Sequence, residues 1–151
     1  MSVSDFDELM AVLDLHPAGG DVFIGSHPSK NPPRTFGGLL MAQSFVAGSR
    51  TLTRDLPPNA LSAHFINGGD TDKDIEFQVV RLRDERRFAN RRVDVMQNGT
   101  LLATVMISYL AGGRASTSAS VSRTSVVDGA VLAQITLGQP APAAGVVAAK
   151  T

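Results

Sequence analysis

The sequence predicts an α+β fold in which one long buried helix is wrapped by an antiparallel sheet. Three observations predict it. The segment FGGLLMAQSFVAGSRTL (36–52) is apolar nearly all round, so a helix there needs neighbours on most sides. Strand-like runs follow it, ALSAHFINGGD, DIEFQVVRLRDERRFANRRVDVM and TLLATVMISYLAG, in which apolar and polar residues alternate. Asn98-Gly99 falls between two of these runs. That dipeptide suits a tight hairpin turn, which needs positive φ at both central positions.

The elements follow in order. Ser4, followed by Asp7 and by the apolar set Phe6, Leu9, Met10 and Leu13, predicts a capped amphipathic helix over 5–14, a lid on a sheet edge. DVFIGS (21–26) is a short first strand. HPSKNPPR (27–34) is a loop, because its three prolines remove donors and restrict their neighbours. Its place just ahead of the long helix makes it a candidate pocket rim. The helix is expected over 37–52, and Leu56-Pro57-Pro58-Asn59 breaks the chain after it. In the sheet, Ile75, Phe77 and Val79 share one face, Arg91, Val93 and Val95 alternate with Arg92, Asp94 and Met96, and Leu101, Ala103, Val105, Ile107 and Tyr109 form a further face. From residue 114 to 151 the chain is rich in Ala, Ser, Val and Gly and has no aromatic residue, so a flexible low-complexity tail is expected after a domain of 1–113. VVDGAVLAQITL within it has the makings of a short strand or helix without an evident partner.

Composition narrows the function. At 151 residues the chain can bury a real core. Fourteen basic and fourteen acidic residues cancel, which gives no reason to expect a nucleic-acid partner. With no cysteine, thiolate nucleophiles, thiolate metal sites and disulfides are excluded, and neither metal nor cofactor is expected. The acidic start MSVSDFDELMAVLDL does not read as a secretory signal, and no apolar run is long enough to span a membrane. A cytoplasmic enzyme or binding module is therefore expected.

The phrases FGGLLMAQ, AHFINGGD, VVRLRDERRFANRRV and QNGTLLATVMISYL resemble the N-terminal hotdog of the type II acyl-CoA thioesterases, over about residues 5–112. The resemblance implies a hotdog fold and hydrolysis of fatty acyl-CoA to free fatty acid and CoA. Gly37, Gly38 and Gln43 stand where that family has its GG and following Gln, and Arg91-Arg92 match its paired arginines. The family pairs two hotdogs in one chain and carries its catalytic Asp, Thr/Ser and Gln in the second. This sequence has room for one hotdog, which implies a homodimer or higher homo-oligomer. The alternative is a non-catalytic acyl-CoA-binding or structural hotdog that pairs with a catalytic partner.

Thioester hydrolysis needs a group that positions water, donors for the carbonyl oxyanion and a slot for the acyl tail. The bare backbone of Gly37 and Gly38 suits oxyanion donation at a helix start, and it equally suits tight packing. Gln43, the strongly polar residue of an apolar helix, is a candidate for orienting water or for tying the helix to a strand. Ser62 and His64 share one face of their strand, and His64 is a candidate base, with a structural role as the alternative. Arg91 and Arg92, with Phe88 and Asn90 beside them, are candidates for contacting the phosphates of CoA, against the alternative of a solvated hairpin end.

Overall fold

The computed structural model describes residues 3–28, 34–111, 119–127 and 130–137. Two helices, α1 (Val3–Leu13) and α2 (Gly37–Arg50), accompany eight strands: β1 (His16–Gly19), β2 (Val22–Gly25), β3 (Pro58–Phe65), β4 (Ile75–Asp84), β5 (Phe88–Gln97), β6 (Thr100–Leu110), β7 (Ala119–Val127) and β8 (Ala130–Leu137). The strands form one sheet in the order β1-β2-β4-β5-β6-β3-β8-β7. Every pairing is antiparallel. The expected helix-in-sheet arrangement is present.

Alternation builds the core. Burial along β5 switches at every residue, with Ala89, Arg91, Val93, Val95 and Gln97 inward. Ile75, Phe77 and Val79 of β4 join them, as do Ala103, Val105, Ile107 and Tyr109 of β6. Leu101 departs from its expected face. The β5–β6 register shifts between Val95 and Met96, and this bulge buries Leu102 beside Ala103 while Leu101 turns partly outward. The turn between these strands has Asn98 at φ 48° and Gly99 at φ 77°, the positive pair that the Asn-Gly dipeptide favours.

Helix α2 lays Leu40, Gln43, Ser44, Ala47 and Gly48 on the sheet, a stripe with helical three- and four-residue spacing. From Gly37 to Ser49 none of its residues is fully exposed. It ends two residues before the expected boundary. Thr51 closes it, its backbone N–H and its hydroxyl both donating to the Gly48 carbonyl. Arg50 then ties α2 to the end of α1, donating to the Leu15 carbonyl and pairing with Asp14 at 2.8 Å.

The C-terminal expectation is corrected. Two segments of the expected tail are strands, and β8 pairs with the edge of β3, setting Leu61 opposite Ile135, Ala63 opposite Ala133 and Phe65 opposite Val131. β3 has a second edge once β6 holds the first, and the segment 131–136, with β-branched Val131, Ile135 and Thr136, fits it. The remaining residues of the expected tail, 112–118, 128–129 and 138–151, lie outside the described residues. A strand ahead of DVFIGS was also not expected: β1 pairs with β2 through a turn in which Gly19 and Gly20 take positive φ.

Candidate functional site

The start of α2 is uncapped. Phe36 holds the N-cap position in extended geometry and offers no side-chain hydrogen bond. The Phe36 carbonyl accepts from Leu39 and Leu40, which leaves the N–H groups of Gly37 and Gly38 pointing off the helix end. Four such donors start any helix, at the positive end of its dipole. Gly37 is also a packing position, since a Cβ there would lie 3.0 Å from the ring of Phe65. Both roles considered for the glycines therefore have a physical basis.

A cavity of about 320 Å³ opens beside this helix end, bounded by Glu8, Leu9 and Val12 of α1, His27, Phe36, and Gly38, Leu39 and Ala42 of α2. A second, apolar hollow of about 280 Å³ lies on the other flank of α2, lined by Met41, Phe45, Leu61 and Ile107 and sharing Gly38 and Ala42 with the first. The two hollows thus flank α2 near its start, and Gly38 lines both.

His27 is the imidazole of this site. Its Nε2 lies 2.9 Å from Thr35 Oγ1. Burial pushes the ring below the usual histidine range, against the pull of the Asp74, Asp70 and Asp72 carboxylates and a hydrogen bond to the Lys73 backbone. Asp70 is itself held below the usual carboxylate range, first by the Asp72 N–H and then by Lys73. The loop of Gly69 to Asp74 is fixed from the sheet, where Gln97 Nε2 donates to the carbonyls of Asp70 and Lys73 and its Oε1 accepts from the Asp70 N–H. A Cβ on Gly69 would lie 2.5 Å from Thr35 Oγ1, so only glycine leaves that hydroxyl its place.

Gln43 is fully buried and ties elements together. Its Nε2 donates to the Val12 carbonyl at 2.8 Å and the Ser26 carbonyl at 2.9 Å, joining α1, the end of β2 and α2. Its Oε1 and the adjacent Ser44 Oγ are buried without a partner. Its two amide donors thus take the structural alternative weighed for Gln43, tying the helix to its neighbours.

Ser62 and His64 are not at this site. Ala63 is fully buried and Leu61 and Phe65 pack on the core, so the alternate residues of β3 face the other side of the sheet. His64 is exposed there, paired in register with Thr104 of β6. Their expected catalytic placement is corrected.

Arg91 points inward. It is fully buried, and Nε donates to Thr51 Oγ1 at 2.6 Å, Nη1 to the carbonyls of Asn90 at 2.9 Å and Arg83 at 3.3 Å, and Nη2 to the Thr51 carbonyl at 3.2 Å and Asp84 at 2.7 Å. Guanidinium has five donors, and all are engaged. The phosphate contact expected of Arg91 is corrected to a clamp between the C-terminus of α2 and the β4–β5 hairpin. Arg92 and Asn90 occupy the opposite face, Arg92 paired with Asp94 at 3.1 Å. Phe88 carries the Arg83 guanidinium 5.7 Å from its ring centre. Of the residues expected at the site, the structure brings Gly37 and Gly38 to it.

His27, which lines the cavity, and Thr35, which holds its ring, are not among the residues expected at the site. The signal available for them was the proline-rich loop ahead of α2, whose reading as a pocket rim fits His27. Among the described residues no group of three or more His, Asp or Glu is placed to hold a metal ion, and no helix is long and apolar enough to cross a membrane.

The sequence profile of the acyl-CoA thioesterase N-terminal domain matches residues 27–110, from the rim histidine to the end of β6. The chain belongs to the acyl-CoA thioesterase N-terminal domain family. It is 30% identical over 112 residues to the peroxisomal acyl-coenzyme A thioester hydrolase 1 of Saccharomyces cerevisiae, a match covering 72% of this chain and 31% of that protein. Among solved structures, the tesB protein of Mycobacterium avium subsp. paratuberculosis superposes with a TM-score of 0.67 at 27% identity, covering 82% of this chain and 49% of the other. A hot dog fold protein from Alicyclobacillus acidocaldarius, at 20% identity and a TM-score of 0.62, covers 82% of this chain and 46% of the other and shows the shared fold. The chain thus spans about a third of the yeast relative and about half of these structures.

Proposed function

We propose that this chain binds acyl-CoA along α2 and hydrolyses its thioester to fatty acid and CoA. The carrying observation is the apolar cavity beside the uncapped start of α2, which Gly38 lines. In this reading the thioester carbonyl oxygen accepts from the N–H groups of Gly37 and Gly38, where developing negative charge meets the positive end of the helix dipole. The acyl chain lies against Leu39, Ala42, Met41 and Phe45, along the two hollows. Family membership supports the thioester as the substrate bond.

We further propose that two copies act as a homodimer. The support is apolar surface around the site: Phe36 is 69% exposed, Phe6 and Met10 each 51% and Leu9 42%. Exposed apolar patches of this kind mark interaction surfaces.

The test is thiol release by the purified chain from acyl-CoAs of several lengths, with binding measured in parallel. Release that rises and then falls with chain length supports the enzyme. Saturable binding with no thiol above background replaces it with a binding module.

A further inference from the structure

We propose that the acyl groups taken up along α2 carry a hydroxyl at their far end, and that Ser49 and Tyr109 receive it. The inference rests on the acyl-CoA reading above and adds the class of acyl group to it. A third cavity, of about 510 Å³, lies at the C-terminal end of α2. It shares Phe45 and Pro58 with the apolar hollow lined by Met41, Leu61 and Ile107. The two spaces also follow the same elements. Gly38, Met41, Ala42 and Phe45 line the hollow, and Phe45, Ser49 and Leu52 line the third cavity. Three- and four-residue spacing puts these on one stripe of α2 and the turn after it. On β6, Ile107 lines the hollow and Tyr109, the next residue of the same inward face, lines the third cavity. The two are therefore consecutive stretches of one flank of α2.

The chemistry of the lining changes between them. Every residue around the hollow is apolar. In the third cavity the Ser49 and Tyr109 hydroxyls meet, 3.1 Å apart. The phenol can lie against the helix because Gly48 has no side chain, since a Cβ there would be 3.0 Å from its oxygen. The ring is packed on Phe45 with 6.4 Å between centres. In a pair of hydroxyls one donates to the other, which leaves one hydrogen and further lone pairs for a ligand. Among the described residues neither hydroxyl has another hydrogen bond.

Three end groups can be compared at this place. A methyl end would displace water from the two hydroxyls without replacing its hydrogen bonds. A carboxylate end would need a free cation. Arg91 is close enough to act on the Tyr109 phenol, but its five donors are engaged. Arg54 is exposed on the rim beside Asp55, whose charge cancels its own. A hydroxyl end can accept the spare hydrogen and donate to a lone pair. Burial pushes the phenol above its usual range, outweighing Ser49 and Arg91, so Tyr109 remains a neutral partner for it. At 1.5 Å per residue, Gly38 to Phe45 spans about 10 Å and Gly38 to Ser49 about 16 Å, so a chain must pass Phe45 before its end group counts.

The experiment measures binding of the full chain to 2-oxoalkyl-CoA thioethers, which keep the carbonyl and cannot be hydrolysed. Plain, hydroxyl-ended and carboxyl-ended chains of increasing length are titrated calorimetrically. Thiol release from the matching acyl-CoAs is followed in parallel. Hydroxyl-ended chains long enough to reach Ser49 are expected to bind about 10-fold more tightly than plain ones, the worth of one net hydrogen bond. Chains that end by Phe45 should show no difference. The double variant Ser49→Ala/Tyr109→Phe, which keeps the ring on Phe45, should lose the preference while plain chains bind no worse. Thermal melting checks its folding, and Ser49→Ala alone, at a half-buried position, should reduce the preference. Equal binding of plain and hydroxyl-ended chains at every length overturns the inference, as does a preference that survives in the double variant. Tighter binding of carboxyl-ended chains overturns the neutral end group. A hydroxyl preference without thiol release keeps this assignment and removes hydrolysis. Thiol release without the preference does the reverse.

Discussion

Replacing Arg91 by methionine removes five hydrogen bonds from a buried site. The side chain is fully buried, and the acceptors it leaves include the Thr51 carbonyl and hydroxyl at the C-terminus of α2. Hydrogen bonds to a charged group contribute about 1.5–3 kcal/mol each in isolation. Their sum overstates the loss, because methionine refills part of the volume and Asp84, 39% exposed, turns to water. Breaking a buried charged group away from its partners costs about 3–5 kcal/mol, and that is the expected destabilisation. It is a large part of the roughly 5–15 kcal/mol that holds a domain folded. Arg91→Lys keeps the charge but has three donors on one nitrogen, so it should recover only part of the loss. Urea unfolding of the two variants beside wild type measures both. A loss under about 1 kcal/mol, set against the 3–5 expected, together with a raised KM for acyl-CoA would refute the clamp and return Arg91 to the phosphate role.

Gln43→Leu leaves the Val12 and Ser26 carbonyls without their donors and is expected to cost about 2–4 kcal/mol, from two lost buried bonds. Melting temperature should fall while kcat of the folded fraction stays near wild type. Gly25→Ala places a Cβ 2.9 Å from Gln43 Nε2, Leu15 Cδ2 and Phe77 Cε2. Overpacking at such a site costs about 1–3 kcal/mol, read from chemical denaturation. Asp21 is held below the usual carboxylate range mainly by its hydrogen bond to Arg81. Its contribution is therefore present above the unfolded carboxylate pKa and is lost as pH falls through the lowered folded value. Asp21→Asn should cost under about 1 kcal/mol at pH 7 for this largely surface pair, and the difference from wild type should vanish in acid titration of stability.

The sequence made the sheet legible because alternation and burial are the same signal. β4, β5 and the Asn98-Gly99 turn follow from it directly. The same signal bore on Arg91, which shares its face with Val93 and Val95. It was grouped with Arg92 because adjacent arginines suggest one basic surface, yet neighbours in a strand point to opposite faces. Ser62 and His64 failed for a related reason. Their common face was legible, but which face of β3 met the helix depended on Ala63, too small to register as a core residue in the pattern. Gln43 was legible as a buried amide, but its acceptors on Val12 and Ser26 come from distant segments that no local pattern joins. The pairing of His27 with Thr35 spans a proline-rich loop whose composition gives neither periodicity nor turn type, so only the fold could bring them together. The strand option for VVDGAVLAQITL was legible, but its partner was not, because a short apolar run has no place until β3 offers it an edge.

That edge changes the argument for oligomerisation. A single hotdog leaves strand edges open, and unpaired backbone groups there invite another chain. In the folded chain β3 lies between β6 and β8, and the outermost strands are β1 and β7. β1 is four residues long, contains Pro17 and has a register shift in its pairing with β2, all features that make a strand a poor template for further pairing. Apart from the outer edge of β7, the pull towards a second copy rests on faces. Gly38, Met41, Ala42 and Phe45 follow one another along α2 at helical spacing, beside the hollow that they line. Phe6, Leu9 and Met10 turn outward from α1, whose inner side is set by Val12. A homodimer built on these faces would close the acyl path from above and extend no strand, so its formation and the shape of the substrate channel become one question.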